Sequence, residues 1–361
     1  MQKHNLDAFI ALSADPHMSE YLPDYWKIRE WLTGFTGSVG TILVTQDIAG
    51  LWVDGRYWVQ AETQLKDTGF SLQKLTSDES SSHWAWLNQN LKANANVSVN
   101  TQTISVQQFE VLQRIAKLNN LNIVENIDLI SEIWQDRPAL PVQAVYEMKD
   151  GINALCRAEK IEKIRETLIS KKIEGHFISA VDDIAWILNC RGADVEYNPV
   201  FLSHLYIDNN QTILFCDLTK FDDALVSRFK SENITILDYT ESQNFLNKLH
   251  VSSVLIDPAK ASYYHQSALN SQVKIHHDIN PSTLFKSQKH ESEIEHIRNS
   301  MQKDGVALCH FFHWLENALK QNEAINELTI DEKITAYRAE QDGFIGLSFS
   351  TIAGFNANGA L

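Results

Sequence analysis

The hydrophobic and polar positions along the chain follow two periods in alternation. Short apolar runs typical of buried strands are separated by segments whose apolar residues recur at the three- and four-residue spacing of a helix. In the first half the predicted strands are Leu6–Leu12, Thr41–Val44, Leu51–Val53, Asn96–Asn100 and Leu121–Glu125, and the predicted helices are one around Trp31, Trp84–Lys92 and Val106–Leu118. In the second half the predicted strands are His176–Ala180, Thr212–Phe215, Ile234–Leu237, Val251–Asp257 and Val273–Ile279, and the predicted helices are one around Trp186 and Asp222–Lys230. This alternation predicts an α/β fold in which helices cover a sheet.

Two segments share a pattern, which predicts a pair of similar domains. Each contains a Trp followed six residues later by a Gly, namely Trp31 with Gly37 and Trp186 with Gly192. Each also contains a Thr-Ile-Leu run, beginning at Thr41 and at Thr212. The Trp residues are 155 positions apart and the Thr residues 171. Loop insertions between duplicated units would produce such a drift.

Two polar stretches suggest where the domains end. Pro138–Gly151 contains prolines and separates the two halves, and Asn280–His290 follows an Asn-Pro step. We therefore predict domains at residues 1–145, 146–287 and 288–361. Beyond the second boundary, apolar residues from Ile294 to Leu315 follow three-, four- and seven-residue steps, which predicts a long amphipathic helix.

The C-terminal residues predict one more helix and a hairpin. Thr329 and Glu332 have the spacing of a capping box, so a helix is expected to open there and to run to about Glu340. Residues 343–361 combine an apolar β-prone run, a turn at Asn356–Gly359 and the start of a second run. Because two such strands pair across the turn, the pattern predicts a hairpin that is interrupted inside a domain.

Composition narrows the class of protein. The 46 acidic residues outnumber the 31 basic ones, giving a net charge of −15, and no dense Lys/Arg run provides the basic surface that nucleic acid requires. No apolar stretch approaches the length of about 18–20 residues that a membrane span needs. The N-terminus does not have the pattern of a secretory signal. Four widely spaced cysteines, Cys156, Cys190, Cys216 and Cys309, suit a reducing cytoplasm.

The strongest candidate for a metal site in the residue pattern is a row on the long helix. His310, His313 and Glu316 are three residues apart and could face one way. The set does not have the H-E-x-x-H spacing, and Phe311 and Leu315 occupy the core side, so surface histidines are favoured over a metal site.

Two other groups of histidines and acidic residues are also not favoured as metal sites. His276, His277 and Asp278 lie in a predicted strand, where neighbours point to opposite faces. His290 to Glu293 are favoured as the first turn of the long helix.

Two glycine-containing motifs also have structural explanations. The run from Gly34 to Gly40 does not match a phosphate-binding loop and precedes a strand, so a tight helix-to-strand connection is favoured. Asp54 and Gly55 follow a strand, which favours a capped turn into a helix. The residue patterns alone therefore give no complete active site.

Several long motifs resemble those of the three-domain Xaa-Pro aminopeptidases, and they occur in the same order. They are Asp15–Pro23, Trp31–Gly40, Leu51–Tyr57, Ala185–Asp194, Asn198–Val200, Asp304–Leu308, Trp314–Glu316 and Gly346–Ile352. The resemblance implies two creatinase-like α/β domains followed by the first part of a pita-bread α/β catalytic domain. It implies release of an N-terminal residue that precedes proline, by a water or hydroxide shared between two divalent metal ions, usually manganese.

The resemblance transfers one site residue to this chain. The family's metal ligands, which are two Asp, one His and two Glu, have no counterparts in residues 1–361, so no catalytic residue and no metal ligand is expected there. Phe349, the aromatic residue of the Ser-Phe-x-Thr-Ile motif, corresponds to a wall of the substrate pocket. Simple core packing of the first hairpin strand is the alternative.

The expected protein is thus part of a cytoplasmic peptidase that acts on peptides with an Xaa-Pro N-terminus and forms a homodimer. Residues 1–361 alone are expected to bind no catalytic metal and to hydrolyse nothing. One alternative is a non-catalytic dimerisation or peptide-binding module. Another is a metal-free enzyme resembling creatine amidinohydrolase, which the length and the Asp15–Pro23 motif disfavour.

Overall fold

The computed structural model describes residues 1–125, 127–149 and 151–359. Its strands are β1 (Ala8–Ala11), β2 (Thr41–Thr45), β3 (Ala49–Val53), β4 (Ser71–Lys74), β5 (Asn96–Val99), β6 (Asn122–Val124), β7 (Tyr146–Glu147), β8 (Gly175–Ile178), β9 (Cys190–Arg191), β10 (His204–Asp208), β11 (Thr212–Phe215), β12 (Ile234–Leu237), β13 (Ser253–Ile256) and β14 (Lys274–His277). Its helices are α1 (Ile28–Thr33), α2 (Trp58–Gln64), α3 (His83–Asn90), α4 (Val106–Asn119), α5 (Leu129–Ile133), α6 (Arg157–Lys171), α7 (Val181–Leu188), α8 (Asp223–Ser231), α9 (Ser242–Asn247), α10 (Tyr263–Ser267), α11 (Pro281–Ser287), α12 (Glu291–Lys320) and α13 (Glu327–Ala339).

Two six-stranded sheets have the same topology. Their strand orders are β4-β3-β2-β1-β5-β6 and β12-β11-β10-β8-β13-β14. In each sheet an inner strand, β1 or β8, pairs antiparallel with one neighbour and parallel with the other. Strand β1 therefore corresponds to β8, β2 to β10, β3 to β11 and β5 to β13. The predicted α/β fold with two similar domains is confirmed.

One correspondence predicted within the repeat is wrong. The run at Thr41 lies in β2, whereas the run at Thr212 lies in β11, the counterpart of β3. The counterpart of β2 is β10, which the apolar pattern did not reveal because its fully buried residues include His204 and Asp208. The two Thr-Ile-Leu runs look alike because each is a strand with buried apolar and β-branched residues, a preference that unrelated strands share.

Both faces of the inner strands are buried. In β1, Ala8 and Ile10 pack in one core with residues of α4, whereas Phe9 and Ala11 pack in a second core on the opposite face. Strand β8 divides in the same way, with Ile178 in one core and Phe177 in another. Because successive strand residues point to opposite faces, each sheet needs helices on both sides.

The C-terminal part of the chain begins with a helix pair. The long helix predicted from Ile294 to Leu315 is confirmed as α12, which is capped by His290. The predicted start of the next helix is wrong: α13 begins at Glu327, and the side chain of Asn326 accepts a hydrogen bond from the Thr329 backbone N–H at 2.9 Å. Asn ranks above Thr as a helix cap, in agreement with the earlier residue taking that position.

The first strand of the predicted hairpin is not formed. Residues 343–355 contain no strand, and the turn at Asn356–Gly359 is a short 3₁₀ helix. The second strand, from Ala360, lies outside the described residues. A strand requires hydrogen bonds to a neighbouring strand, so its apolar composition alone does not produce one.

The two α/β domains meet through a reciprocal backbone contact. The Val106 N–H donates to the Ala261 carbonyl and the Tyr263 N–H donates to the Ile104 carbonyl, each at 3.0 Å. The rings of Phe109 and Tyr263 stack beside this contact with centroids 3.6 Å apart. Such an aromatic pair contributes about 1 kcal/mol beyond the area that it buries.

A cluster of buried imidazoles lies in the same interface. The His17 ring stacks on His204 with centroids 4.5 Å apart, and His204 lies 4.2 Å from His265. His17 Nδ1 contacts the Ser179 carbonyl at 2.8 Å and its Nε2 contacts the Tyr239 hydroxyl at 2.8 Å. The loop that carries His17 is held by Asp15, whose carboxylate accepts the His17 backbone N–H at 3.0 Å.

Burial keeps this cluster neutral. Desolvation lowers the pKa of His17, lowers that of His204 strongly, and lowers that of His265 to about 3. The charged groups that influence His17 are Asp15, Asp194 and Lys220, and their effects are smaller than that of burial. Between these lowered values and about 6.5, the usual pKa of an unfolded histidine, the unfolded chain binds more protons than the folded one.

We therefore predict that acid destabilises the fold through this interface. The stability of the fold with neutral buried histidines is fully present above about pH 6.5, and it is lost as the pH falls. From pH 7 to pH 5, His265 alone should lower the free energy of unfolding by about 2 kcal/mol, and His17 and His204 should change it in the same direction. Urea unfolding followed across this pH range measures the effect.

Two substitutions test the assignment of this pH dependence. His204→Phe keeps an aromatic ring in the stack but removes one titrating group, so it should flatten the dependence. His250→Gln, at an exposed position, is the matched control and should leave it unchanged. An equal pH dependence in His204→Phe and in the unmodified chain would contradict the assignment.

Candidate functional site

A groove near the C-terminus contains Phe349, the substrate-pocket candidate. Its volume is about 690 Å³, and its lining includes Lys303 and Asp304 of α12, Arg338 of α13, Phe349 and Ile352. We call residues 343–355 the strap, because they leave the end of α13 and return along the helix pair. Within the strap, the side chains of Phe349 and Ile352 are 52% and 85% exposed. The groove therefore combines charged groups on the helices with an apolar wall on the strap.

An ion pair lies at one end of this groove. The Arg338 Nε donates to Asp304 Oδ1 at 2.6 Å and its second terminal nitrogen lies 3.4 Å from Oδ2. Each side chain is 31% exposed. Next to the pair, Lys303 Nζ donates to the Asp342 carbonyl at 2.6 Å. Together these contacts join α12 to the point where the chain leaves α13.

A larger cavity, of about 790 Å³, lies at an edge of the second sheet. Its acidic side chains are already engaged by nearby donors. Glu174 accepts a hydrogen bond from the Ser252 backbone N–H at 2.8 Å, and Asp208 accepts from the backbone N–H groups of Asn210 and Gln211. This cavity has no residue that the motifs single out, so the strap groove is the better candidate.

The histidine row on α12 does not converge on one point. The His310 ring lies 5.8 Å from the Tyr337 ring, whereas His313 Nε2 contacts the Asn317 amide nitrogen at 3.1 Å. The nearest basic partner of Glu316 is Lys320, at 3.9 Å. Among residues 1–125, 127–149 and 151–359, no group of three or more His, Cys, Asp and Glu side chains could hold a metal ion.

His277 and the neighbouring aspartate also engage separate partners. His277 Nε2 contacts Gln266 Oε1 at 2.7 Å, and Asp278 pairs with Lys171. At the start of α12, Glu293 accepts the His290 backbone N–H at 2.9 Å, as expected for a first helical turn. His277, Asp278, His290 and Glu293 therefore each contact a protein partner and do not converge on a shared metal ion.

The glycine-rich run from Gly34 to Gly40 connects α1 to β2, as predicted. The Arg29 guanidinium donates to the carbonyls of Gly37 and Ser38. A phosphate site needs backbone N–H groups that point at the ligand, whereas this loop directs carbonyl oxygens at a cation. At Gly37 a side chain would collide with Phe35 and Tyr57, which explains the glycine.

The capped turn at Asp54 is also confirmed. The Asp54 carboxylate accepts the Arg56 backbone N–H at 3.1 Å and pairs with the Arg56 guanidinium at 2.9 Å. The side-chain hydrogen bond from Arg56 lowers the pKa of Asp54. This motif therefore shapes the entry to α2.

Sequence reasoning missed the interface cluster of His17, His204 and His265. The three residues are far apart along the chain, and each lies in an otherwise apolar or loop segment. The residue pattern carries no signal for contacts between the two domains, so only the folded structure brings these rings together.

Comparison with known proteins gives the family. The model of the creatinase/prolidase N-terminal domain family matches residues 1–133, and a second model with the same description matches residues 136–293. The chain therefore contains two domains of the creatinase/prolidase N-terminal domain family.

Relatives within that family are Xaa-Pro aminopeptidases. Xaa-Pro aminopeptidase 1 of Dictyostelium discoideum is 32% identical over all of this chain and 59% of its own length. Xaa-Pro aminopeptidase ApepP of Drosophila melanogaster is 32% identical over 99% of this chain and 59% of its own length. The chain thus spans less than two thirds of these curated relatives.

A solved structure agrees with this relationship. The X-prolyl aminopeptidase of Caenorhabditis elegans, described as a cytosolic enzyme with a di-nuclear active site, superposes with a TM-score of 0.89 at 29% identity. The match covers 96% of this chain and 58% of the nematode chain. The aminopeptidase P fold expected from the motifs is confirmed.

A membrane span requires a helix that is both long and apolar. Among the residues that the structure describes, no helix combines the length and the apolar composition that crossing a membrane needs.

Proposed function

We propose that this chain is part of an Xaa-Pro aminopeptidase, which releases the N-terminal residue of peptides with proline in second position. The observation that carries the proposal is the TM-score of 0.89 to the nematode enzyme over 96% of the chain. Relatives at 32% identity over essentially all of the chain support it. We also propose domains at 1–145, 146–287 and 288–361, the last being the opening of a pita-bread catalytic domain.

The reaction requires a metal centre that the described residues do not fit, because they contain no suitable group of ligands. We propose that two divalent ions, manganese by the family resemblance, are held by residues outside this stretch. The di-nuclear site named for the nematode enzyme supports the number of ions. In this proposal, residues 1–361 supply the scaffold and one wall of the substrate groove.

We predict that purified residues 1–361 hydrolyse no Xaa-Pro peptide in manganese. The complete gene product, assayed in parallel with the same peptide, should hydrolyse it and should lose activity with a chelator. A mock purification controls for host peptidases. Cleavage by residues 1–361 above that background would overturn the predicted inactivity. An inactive but folded complete gene product would overturn the peptidase proposal itself.

Phe349 is the residue that we propose contacts the substrate. Its ring is half exposed and lines the groove, so it can pack against an apolar ring such as that of proline. Core packing is the alternative, and the exposure of the ring favours the groove. No other residue of this chain is assigned to the substrate.

We predict that Phe349→Ala weakens binding of a tripeptide with proline in second position. The loss of one aromatic contact should lower the affinity roughly tenfold. NMR titration of residues 1–361 measures this change. Phe355→Ala is the matched control, because Phe355 is an exposed aromatic residue of the strap that does not line the groove. Equal affinities of Phe349→Ala and the unmodified chain would contradict the assignment.

We further propose that the protein is a cytoplasmic homodimer. The description of the nematode enzyme as cytosolic and the absence of disulfides among the four free cysteines support the location. The family resemblance supports the dimer. We predict that the protein has the mass of a dimer in size-exclusion chromatography with light scattering. The mass of a monomer at high protein concentration would contradict this proposal. A dimer without peptide binding would instead favour a non-catalytic module.

A further inference from the structure

The strap is attached at both ends and free between them. At its start, the Asp304–Arg338 pair and the Lys303 contact to the Asp342 carbonyl hold the exit from α13. At its other end, Glu327 accepts hydrogen bonds from the Phe355 backbone N–H at 3.2 Å and from the Asn358 amide at 2.9 Å. Glu327 is the first residue of α13, so the strap runs back along the whole helix.

Between the two attachments, the strap has few contacts of its own. Within the described part of the chain, no backbone–backbone hydrogen bond outside helices and strands involves residues 345–354. The side chains of Ile345 and Ile352 are 78% and 85% exposed. The path of the strap therefore depends mainly on how its ends are held.

The ion pair is placed to set that path. Arg338 lies in the last turn of α13, and the chain turns at Gly343, whose φ of +86° is a conformation that glycine adopts without strain. The paired geometry fixes the guanidinium against one position of α12, since two donor–acceptor contacts restrain its orientation. Lys303, the neighbour of Asp304, holds the backbone at Asp342.

The pair is not the main contact between the helices. Ala307, Phe311 and Ala318 of α12 and Ile334 of α13 are buried. This apolar contact should survive the loss of an ion pair that is one-third exposed. Loss of the pair should therefore affect the strap more than the helices.

We propose that Asp304 and Arg338 are positioning residues, whose ion pair directs the strap so that Phe349 faces the groove. The inference rests on the proposed role of Phe349 in substrate binding. Neither residue needs to contact the peptide. The pair acts by restricting where the strap leaves α13.

NMR order parameters of the backbone amides of residues 343–352 and affinity for the Xaa-Pro tripeptide test this inference. Asp304→Asn and Arg338→Gln should each lower the order parameters of the strap and weaken peptide binding roughly tenfold. The double variant Asp304→Arg with Arg338→Asp rebuilds the pair in reverse and should restore both. Lys320→Gln is the control, since Lys320 pairs only weakly with Glu316 at the far end of α12.

Thermal unfolding and helix content distinguish positioning from general destabilisation. If the order parameters of the strap are unchanged in both single variants while they remain folded, the inference is overturned. If the single variants do not fold, wild-type order parameters in the reversed pair support it, and lowered ones there overturn it. If the order parameters fall and are restored as expected but no variant, including the unmodified chain, binds the tripeptide, the positioning stands and the proposed function of the groove fails.

Discussion

The burial of both faces of the inner strands β1 and β8 is the constraint on which the rest of the fold depends. Each of these strands places alternate side chains in separate cores. Helices must then cover the sheet from both sides, which requires crossover connections between parallel strands. His17 lies in the segment after β1, and Ser179 lies in the segment after β8. These two segments meet in the contact between the domains.

Local patterns predicted the elements that depend on local physics. The β-branched and apolar runs of β1 and β11 and the amphipathic face of α12 are visible without tertiary information. The start of α13 was misplaced because Asn326 and Thr329 are both good caps, and only the fold decides between them. The strand predicted for residues 343–355 failed because strand formation depends on a partner, which composition does not specify.

Motif recognition and residue chemistry gave different parts of the candidate site. Phe349 came from the resemblance alone, since no pattern distinguishes it from a core phenylalanine. Asp304 and Arg338 lie on different helices and are 34 positions apart along the chain. Their pairing is therefore visible only in the folded structure. The Gly34–Gly40 loop was predicted correctly as a connection. The contact between its carbonyl groups and the Arg29 guanidinium was not expected.

The reciprocal contact between the domains is symmetric. Ser105 caps α4 after β5, and Ser262 precedes α10 after β13, the counterpart of β5. These corresponding residues pair with each other in an antiparallel bridge, and each flanking N–H reaches the matching carbonyl of the other copy. That is the geometry of an isologous interface, in which one patch contacts its own duplicate across a twofold axis. The two domains of this chain therefore contact each other as the subunits of a symmetric dimer do, but within one polypeptide.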